Sequence, residues 1–411
     1  MNILIVAPYI LLPEYPEFSK NTTGLGIMVE TISRAVASDS EMSVQIYTNA
    51  ISSRKNINGY EIRSHTVKDL ILHVKIRYID DFFHNLIKPS GTKSRLKSAY
   101  YALNTSYLEY TIKQWADIVH FHDLGYLSVH GMDICEKLGK KYVLTLHTLT
   151  KDSPFGTDET RKWESIYVPR SISNGCAVSV ISTEMKEKLL DWYDVDKPDL
   201  IKVILNTSDL RTDSVNSENI RVKYSIPTDS KLIICAGLLS KRKNQIQLVR
   251  AFKKLSTEAQ KHIYILLIGA DSDDRVYLEN LNNLLADDFI GKHIQKTGYV
   301  SHNHISSYYA AADANAVVSA KEPFGLPYVE AMHMGIPTLT FTDIESTKDV
   351  CFPETSICVS ERNDQSLAEG ICAVIRKKWD KDDIKRKAKD FSTDAMGRKY
   401  VDCYKELGSN I

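Results

Sequence analysis

The sequence lacks net charge, a cysteine framework and any long apolar run. Its 52 Lys and Arg residues balance 52 Asp and Glu residues, so no global field draws nucleic acid and any basic surface has to be local. The seven cysteines (Cys135, Cys176, Cys235, Cys351, Cys358, Cys372, Cys403) are scattered, odd in number and form no C-x-x-C. That pattern argues against a zinc site and a disulfide framework, and for a reducing cytoplasm. No apolar stretch approaches the ~20 residues of a membrane span. The N-terminal MNILIVAPYILLPEY has no basic leader and no small-residue cleavage site, so it reads as a strand rather than a signal peptide. What remains is 411 residues, 43% hydrophobic and 25% charged, the balance of a soluble globular protein. That length suggests two domains of about 200 residues each.

The first half alternates short apolar runs with amphipathic segments. Asn2 to Pro8 reads as a strand buried on both faces of a parallel sheet. After a long polar loop come Thr22-Thr23-Gly24-Leu25-Gly26 and a helix from about Ile27 to Ala37. Strand, glycine loop and helix form the phosphate-binding start of a Rossmann-like unit. The third glycine of a nicotinamide fingerprint is missing and the loop is too long for one, which argues against a dehydrogenase. Strands are expected at Val44 to Thr48, Asp117 to Phe121, Lys141 to Leu146, Ala177 to Ser182 and Ile201 to Leu205. Asn58 to Leu72 is ambiguous between strand and helix. Lys88, Lys93, Arg95 and Lys97 precede a helical stretch from about Ser98 to Trp115 that carries Tyr100, Tyr101, Tyr107 and Tyr110. His120, His122 and His147 sit at the ends of two strands, where ligands bind in open parallel sheets.

Polar sequence from Leu210 to Asn219 marks a linker, and the same alternation then restarts. The apolar run KLIICAGLL (231–239) is followed by Ser240-Lys241-Arg242-Lys243-Asn244 and a helix to Leu255. Strands at His262 to Gly269, Ile294 to Val300 and Ala314 to Ser319 follow, with helices between them. Two such halves, with ligand features at strand ends, imply an α/β protein of two Rossmann-like domains facing across a cleft.

The most informative stretch is KEPFGLPYVEAMHM (321–334). Pro327 suits the first position of a helix, and the N–H groups of Gly325, Leu326 and Tyr328 would project from its N-terminus as an anion site. Glu322 precedes that site and Glu330 lies one turn inside it. Carboxylates repel phosphate but accept hydrogen bonds from hydroxyls. A ligand with phosphate and vicinal hydroxyls, such as a nucleotide-sugar, fits both features. The plainer reading makes Glu330 a helix-dipole partner and Glu322 a solvated loop charge.

Glu322, seven residues and Glu330, within EPFGLPYVEAMHMGIP, resemble the signature of the retaining nucleotide-sugar glycosyltransferases of family 4 (glycosyltransferases group 1), which have the GT-B fold. DIVHFHD and LTLHTLT resemble two N-domain stretches of that family, and Asn206-Thr207-Ser208-Asp209 resembles its Asn-Gly-Val-Asp, with Thr207 in place of glycine. The resemblance implies an acceptor-side domain over residues 1–212, a nucleotide-sugar-binding domain over 213–391 and a C-terminal helix (392–411) that crosses back to the first. It implies roles for single residues. His147 reaches the sugar, Lys243 grips the diphosphate, Glu322 faces the sugar hydroxyls and Glu330 holds the ribose. The amides of Phe324, Gly325 and Leu326 cradle sugar and diphosphate, while Gly298, Tyr299 and Val300 read the base. Gly24 and Gly26 lie at the cleft floor, and His122 orients a backbone or touches substrate. The family arginine after Gly237 is replaced by Leu238, and Arg242 is the residue that could supply that charge.

The implied activity is transfer of a hexose-type sugar, with retention, from a nucleoside diphosphate sugar to a glycan or lipid-linked acceptor, as in surface polysaccharide assembly. The donor is a substrate, and no cofactor, metal or nucleic acid is expected. Asp271-Ser272-Asp273 matches the metal-binding D-x-D of the other major glycosyltransferase fold, but it lies in a turn-rich stretch where Asp and Ser serve local hydrogen bonds. No pair of carboxylates is placed as nucleophile and acid. The basic, aromatic segment of the first half could rest on an anionic membrane at the inner face of the cell. Leu238 and Thr207 instead favour a catalytically impaired partner of another transferase. A nucleotide-sugar epimerase of similar fold would not need the Glu-x7-Glu element.

Overall fold

A computed structural model describes the chain apart from residues 20–23, 51, 53, 64–65, 76–77, 79–91, 154–155, 209, 211–218 and 410–411, with the backbone alone at 92–99 and 302–303. Thr22, Thr23, Lys88 and Asp209 therefore lie outside the described residues, as do the side chains of Lys93, Arg95 and Lys97. The chain divides into two units, Met1–Leu205 with Thr393–Ile411, and Asn206–Ser392.

The first unit is built on one sheet. β1 (Asn2–Val6), β2 (Ser43–Tyr47), β3 (Lys55–Ile57), β4 (Tyr60–Ile62), β5 (Ile118–His122), β6 (Lys141–Leu146), β7 (Ala177–Val180) and β8 (Ile201–Val203) run in the order β3-β4-β2-β1-β5-β6-β7-β8. Every pairing is parallel except β3 with β4. Ile3, Leu4, Ile5 and Val6 are fully buried, as both faces of a helix-covered parallel sheet require. The ambiguous stretch after Asn56 is a hairpin followed by a helix. Asn58 and Gly59 both take positive φ (49° and 86°), the two-residue turn that Asn-Gly favours. Val67–Leu72 is a short helix closed by a capping box between Thr66 and Asp69.

The second unit repeats the plan with β9 (Lys231–Ala236), β10 (Ile263–Ile268), β11 (Ile294–Gly298), β12 (Ala314–Val317), β13 (Thr338–Phe341) and β14 (Ser356–Val359), in the order β11-β10-β9-β12-β13-β14. All five pairings are parallel. β11 stops at Gly298, short of Val300, because Gly298 turns to φ 72°. Thr207 does more than fill a glycine position: its buried hydroxyl donates to the Phe391 carbonyl and ties the start of the second unit to its end.

Two Rossmann-like α/β domains are thus present. Apart from the edge hairpin β3-β4, the strand order of each sheet reverses once, between β1 and β5 in the first and between β9 and β12 in the second. Ligands of such sheets bind outside the carboxyl ends of the strands that flank the reversal. The C-terminal helix Thr393–Gly408 belongs to the first unit, where Gly397 lets it approach the helix Gly24–Ala37. A Cβ there would meet the Ala35 Cβ and carbonyl oxygen at 3.0 Å.

Candidate functional site

In the second unit the strand order brings two distant loops side by side. Lys243 follows β9 and Glu322 follows β12, and these strands are neighbours. The Lys243 ammonium is hydrogen-bonded to Glu322 Oε2. Arg242 Nη1 lies 3.5 Å from the same oxygen, and Ser319 Oγ donates to it at 3.2 Å. Arg242 also donates to the Lys321 carbonyl at 3.2 Å, so both basic residues face the opening of the Glu322 loop. Burial by itself would raise the Glu322 carboxyl, but the charges of Lys243 and Arg242 and the bonds from Lys243 and Ser319 outweigh it and leave it lowered. Gly237 is required beneath this pair: at φ 138°, a Cβ would meet Lys243 Cε at 3.0 Å. Leu238, in the place of the family arginine, is 47% exposed.

The helix Leu326–Met334 starts from Gly325 at φ 80°, so Pro327 is its second residue rather than its first. Asn315 Nδ2 on β12 donates to the Pro327 carbonyl at 3.1 Å and holds this end of the helix against the sheet. One of the three expected donors is absent from the anion site: the Tyr328 amide donates to the Gly325 carbonyl at 3.0 Å, closing the tight turn. The amides of Gly325 and Leu326 meet no acceptor among the described residues. The Phe324 side chain is buried in the core, which leaves its backbone to line the loop.

Glu330 is buried, and its Oε2 accepts from the Tyr309 hydroxyl at 2.6 Å, while Ser208 Oγ stands 3.5 Å from Oε1. Each carboxylate oxygen keeps a further lone pair for a ligand hydroxyl. The Gly298 carbonyl already accepts from the Gly269 amide at 3.1 Å and the Thr297 hydroxyl at 2.8 Å. What that stretch offers a ligand is therefore the Tyr299 and Val300 backbone, with the Tyr299 side chain exposed. Asp271 of the D-x-D pattern pairs with Lys296 at 2.9 Å. Among the described residues no three His, Cys, Asp or Glu side chains gather as a metal site would need.

In the first unit, β5 and β6 place His122 and His147 together, with His122 Nδ1 2.9 Å from His147 Nε2. His122 is fully buried, and its ring contacts that of His147. Burial lowers the pKa of both, and His120 beneath them is pushed down to about 3, by burial and then by His147. Neutral imidazoles share one proton per contact. His122 Nε2 is buried without a partner, and a bare lone pair there costs less than an orphaned N–H. We therefore assign the shared proton to His122 Nδ1, which leaves His147 carrying N–H at Nδ1. Gly24 is exposed with open space around it, whereas Gly26 is buried and its carbonyl accepts from the Leu11 amide at 3.1 Å.

Several supporting residues escaped the sequence reading. Asp123, at φ 58°, accepts from the His147 amide at 2.8 Å. His120 bonds Tyr404 at 2.7 Å and Thr145 at 2.6 Å, so the C-terminal helix props the histidine floor. Glu164 is fully buried and gathers the Thr150 amide, the Thr150 hydroxyl (2.9 Å), the Lys151 amide (3.3 Å) and the Tyr193 hydroxyl (2.9 Å). It thereby anchors the loop just beyond His147. Glu345 accepts from the Glu322 amide at 3.1 Å. The spacing of Glu164 with Val168 and Ile172, which puts a carboxylate on the one buried stripe of a mostly exposed helix, was the available signal for Glu164; the others carried none.

Comparison with known proteins bears on the family and the fold. Residues 24–211 match the model of Glycosyltransferase Family 4, and residues 216–391 that of Glycosyl transferases group 1. An uncharacterised glycosyltransferase of Methanocaldococcus jannaschii is 25% identical over 304 residues, 70% of this chain and 75% of that protein. Three further curated relatives are matched over 48% to 60% of their own length. Among solved structures, sucrose-phosphate synthase from Thermosynechococcus elongatus superimposes with a TM-score of 0.72 at 17% identity, covering 100% of both chains. HepE from Anabaena, solved with UDP, gives 0.70 at 16% identity, covering 99% of this chain and 100% of its own. At these identities the likeness to solved structures is one of fold.

Proposed function

We propose a specific role for a chain that belongs to the GT-B-fold glycosyltransferases, which transfer a sugar from a nucleotide-sugar donor to an acceptor. It moves a hexose-type sugar, with retention and without a metal, from a nucleoside diphosphate sugar to a glycan or lipid-linked acceptor in surface polysaccharide biosynthesis. The observation that carries this reading is the Lys243–Glu322 pair at the strand reversal of the second unit, beside the open amides of Gly325 and Leu326.

Negative charge grows on the departing diphosphate, and pre-set positive groups stabilise it most where water is excluded. Lys243 and Arg242 supply that charge, and the amides of Gly325 and Leu326 add donors. Arg242 takes over from the arginine that Leu238 replaces, since its guanidinium already reaches Glu322. Glu322, held ionised, accepts from hydroxyls of the sugar. Glu330, oriented by Tyr309, accepts from the ribose, and the backbone of Tyr299 and Val300 meets the base. His147 offers its Nδ1–H to the sugar. On the retained face, the departing phosphate oxygen takes the acceptor's proton as the new glycosidic bond forms and the old one breaks. The enzyme works in the cytoplasm, where the basic, aromatic part of the first unit contacts the inner face of the membrane.

One observation favours a second reading. The exposed Leu238 leaves the usual arginine position uncharged, as expected of a catalytically impaired partner of another transferase. A panel of nucleoside diphosphate sugars, screened by thermal shift and then by donor hydrolysis and transfer in excess chelator, separates the two. Turnover that is lost in Glu322→Ala supports the enzyme. Binding without turnover by any donor supports the partner, and the anomeric configuration of the product tests retention.

A further inference from the structure

The peptide unit that joins Lys321 to Glu322 is held at both ends. Its carbonyl accepts from Arg242 Nη1 at 3.2 Å, and its N–H donates to Glu345 Oε2 at 3.1 Å. The bond is trans, so these two groups point in opposite directions. Strand order supplies a partner on each side, because β12 lies between β9 and β13. Arg242 follows β9 and Glu345 follows β13. The loop after β9 adds another tie, since the Arg242 carbonyl accepts from the Ala320 amide at 2.8 Å. On its other side Glu322 precedes Pro323, and a residue ahead of proline is confined to extended backbone.

The loop that presents Glu345 is itself fastened. Arg362, just past β14, forks onto Asp343, with Nε donating to Oδ2 at 2.8 Å and Nη2 to Oδ1 at 2.6 Å. Its remaining nitrogen, Nη1, donates to the Val318 carbonyl directly after β12, at 3.4 Å. The same guanidinium lies 4.3 Å over the Phe341 ring at the end of β13. Thr347 closes the loop from within, its hydroxyl donating to the Thr342 and Ile344 carbonyls at 3.1 and 2.7 Å. Glu345 is therefore offered to Glu322 by a turn tied to both neighbouring strands, with the Lys321 ammonium 3.8 Å from its other oxygen.

Lys243, Arg242 and Ser319 all approach Glu322 through Oε2. Among the described residues no such contact falls on Oε1, which is the oxygen left to a ligand hydroxyl. Where Oε1 points depends on the backbone of residue 322 as much as on the anchored side chain. We propose that Glu345 is a positioning residue for Glu322: by holding the Glu322 amide it sets the plane from which the carboxylate meets the sugar hydroxyls. This inference rests on the donor-site reading given above. Glu345 acts through Glu322, so its effect falls on the chemical step and not on nucleotide binding, which is assigned to Glu330, Tyr299 and Val300. A carboxylate suits the task because a charged acceptor bonds a backbone N–H about twice as strongly as a neutral one. A misplacement of about 1 Å is enough to cost about 10²-fold in rate.

Two measurements on the full chain test this. Hydrogen exchange at the Glu322 amide reads the contact without any turnover, with the open amides of Gly325 and Leu326 as internal references. Glu345→Ala should speed exchange at Glu322 by about tenfold or more and leave the references unchanged. Glu345→Gln keeps an acceptor oxygen and should restore most of the protection. With a donor that the nucleotide-sugar panel shows to be turned over, Glu345→Ala should lower kcat by about 10–10²-fold and leave the donor KM within about twofold. Glu345→Gln should recover most of that kcat. Asp343→Asn, which loosens the Arg362 fork without touching Glu345, should move both readouts the same way by less. Wild-type exchange at Glu322 in Glu345→Ala, or faster exchange with unchanged kcat, overturns the proposal. So does a loss confined to KM, which would put Glu345 in nucleotide binding. Absence of turnover by the wild type with every donor fails the donor-site reading instead, and the exchange rates alone then decide whether Glu345 holds Glu322.

Discussion

Lys243 and Glu322 are 79 positions apart and hydrogen-bonded, because β9 and β12 are adjacent where the order of the second sheet reverses. Both side chains are close to buried, at 11% and 9% exposure. Removing one partner of such a pair leaves a buried charge less compensated and costs up to about 3–5 kcal/mol. Lys243→Met keeps the stem over Gly237 and deletes the charge. It should lower transfer by about 10²–10³-fold, the usual loss for one electrostatic contact to a leaving group, and lower the urea midpoint as well. Glu322→Gln should lose turnover and also lower the urea midpoint, because Lys243 and Arg242 are left facing one another without their shared carboxylate. Wild-type kcat in Lys243→Met would remove Lys243 from the reaction.

Arg242 makes a separable prediction. If its guanidinium stands in for the arginine absent at Leu238, Arg242→Ala should raise the KM for the donor and lower kcat. The double variant Arg242→Ala with Leu238→Arg should recover part of the loss. Unchanged turnover in Arg242→Ala would show that Lys243 suffices.

Gly325 should tolerate no side chain. At φ 80°, a non-glycine residue costs about 1–2 kcal/mol, and a Cβ would sit 2.7 Å from the Tyr328 ring and 2.9 Å from Glu322 Cγ. Gly325→Ala should therefore lower the melting temperature and weaken nucleotide binding together, as read by thermal shift with and without UDP. A variant that binds UDP as the wild type does would show that the turn is not part of the donor site.

Glu164→Ala would remove the acceptor of the Thr150 and Lys151 amides and of the Tyr193 hydroxyl, while the Thr150 hydroxyl keeps the Thr160 carbonyl at 3.1 Å. Buried donors without partners cost about 1–3 kcal/mol each, so a loss of about 3 kcal/mol is expected in urea unfolding. Glu164→Gln should lose less, since its amide oxygen still accepts. Equal stability of Glu164→Ala and the wild type would show that the loop after His147 is held by other contacts.

The three histidines give the first unit an acid limit. Burial holds His120, His122 and His147 below the usual 6.5. Between that value and about 3 for His120, the unfolded chain binds more protons than the folded one. Their contribution is therefore complete above pH 6.5 and falls as pH drops toward the folded values. Glu322, also lowered, adds to the loss only below its usual 4.5. Asp123, raised by burial, acts with the opposite sign. Melting temperatures between pH 6.5 and 4.5 should fall in the wild type and fall less in His120→Gln. Equal slopes would mean that the histidines are not held neutral.

Apolar runs bounded by polar or glycine-bearing sequence determined the alternation of strands and helices. The strand Lys141–Leu146 matches its sequence expectation residue for residue. Such runs are local, and a strand buried on both faces has few other ways to hide its side chains. Asn58-Gly59 was an equally local turn signal whose flanking strands are too short to show a period. Glu322 and Glu330 were visible because their spacing lies within one loop and one helix.

Their partners were not visible. Nothing near Tyr309 says that its hydroxyl orients Glu330, and nothing near Glu345 says that it receives the Glu322 amide. The sequence by itself determined the two Rossmann-like halves and singled out the candidate donor-site residues. Only the tertiary structure decided that Lys243 meets Glu322 and that Tyr328 spends its amide on the turn. Each of those contacts depends on strand order or turn closure, which join residues through space without leaving a pattern along the chain.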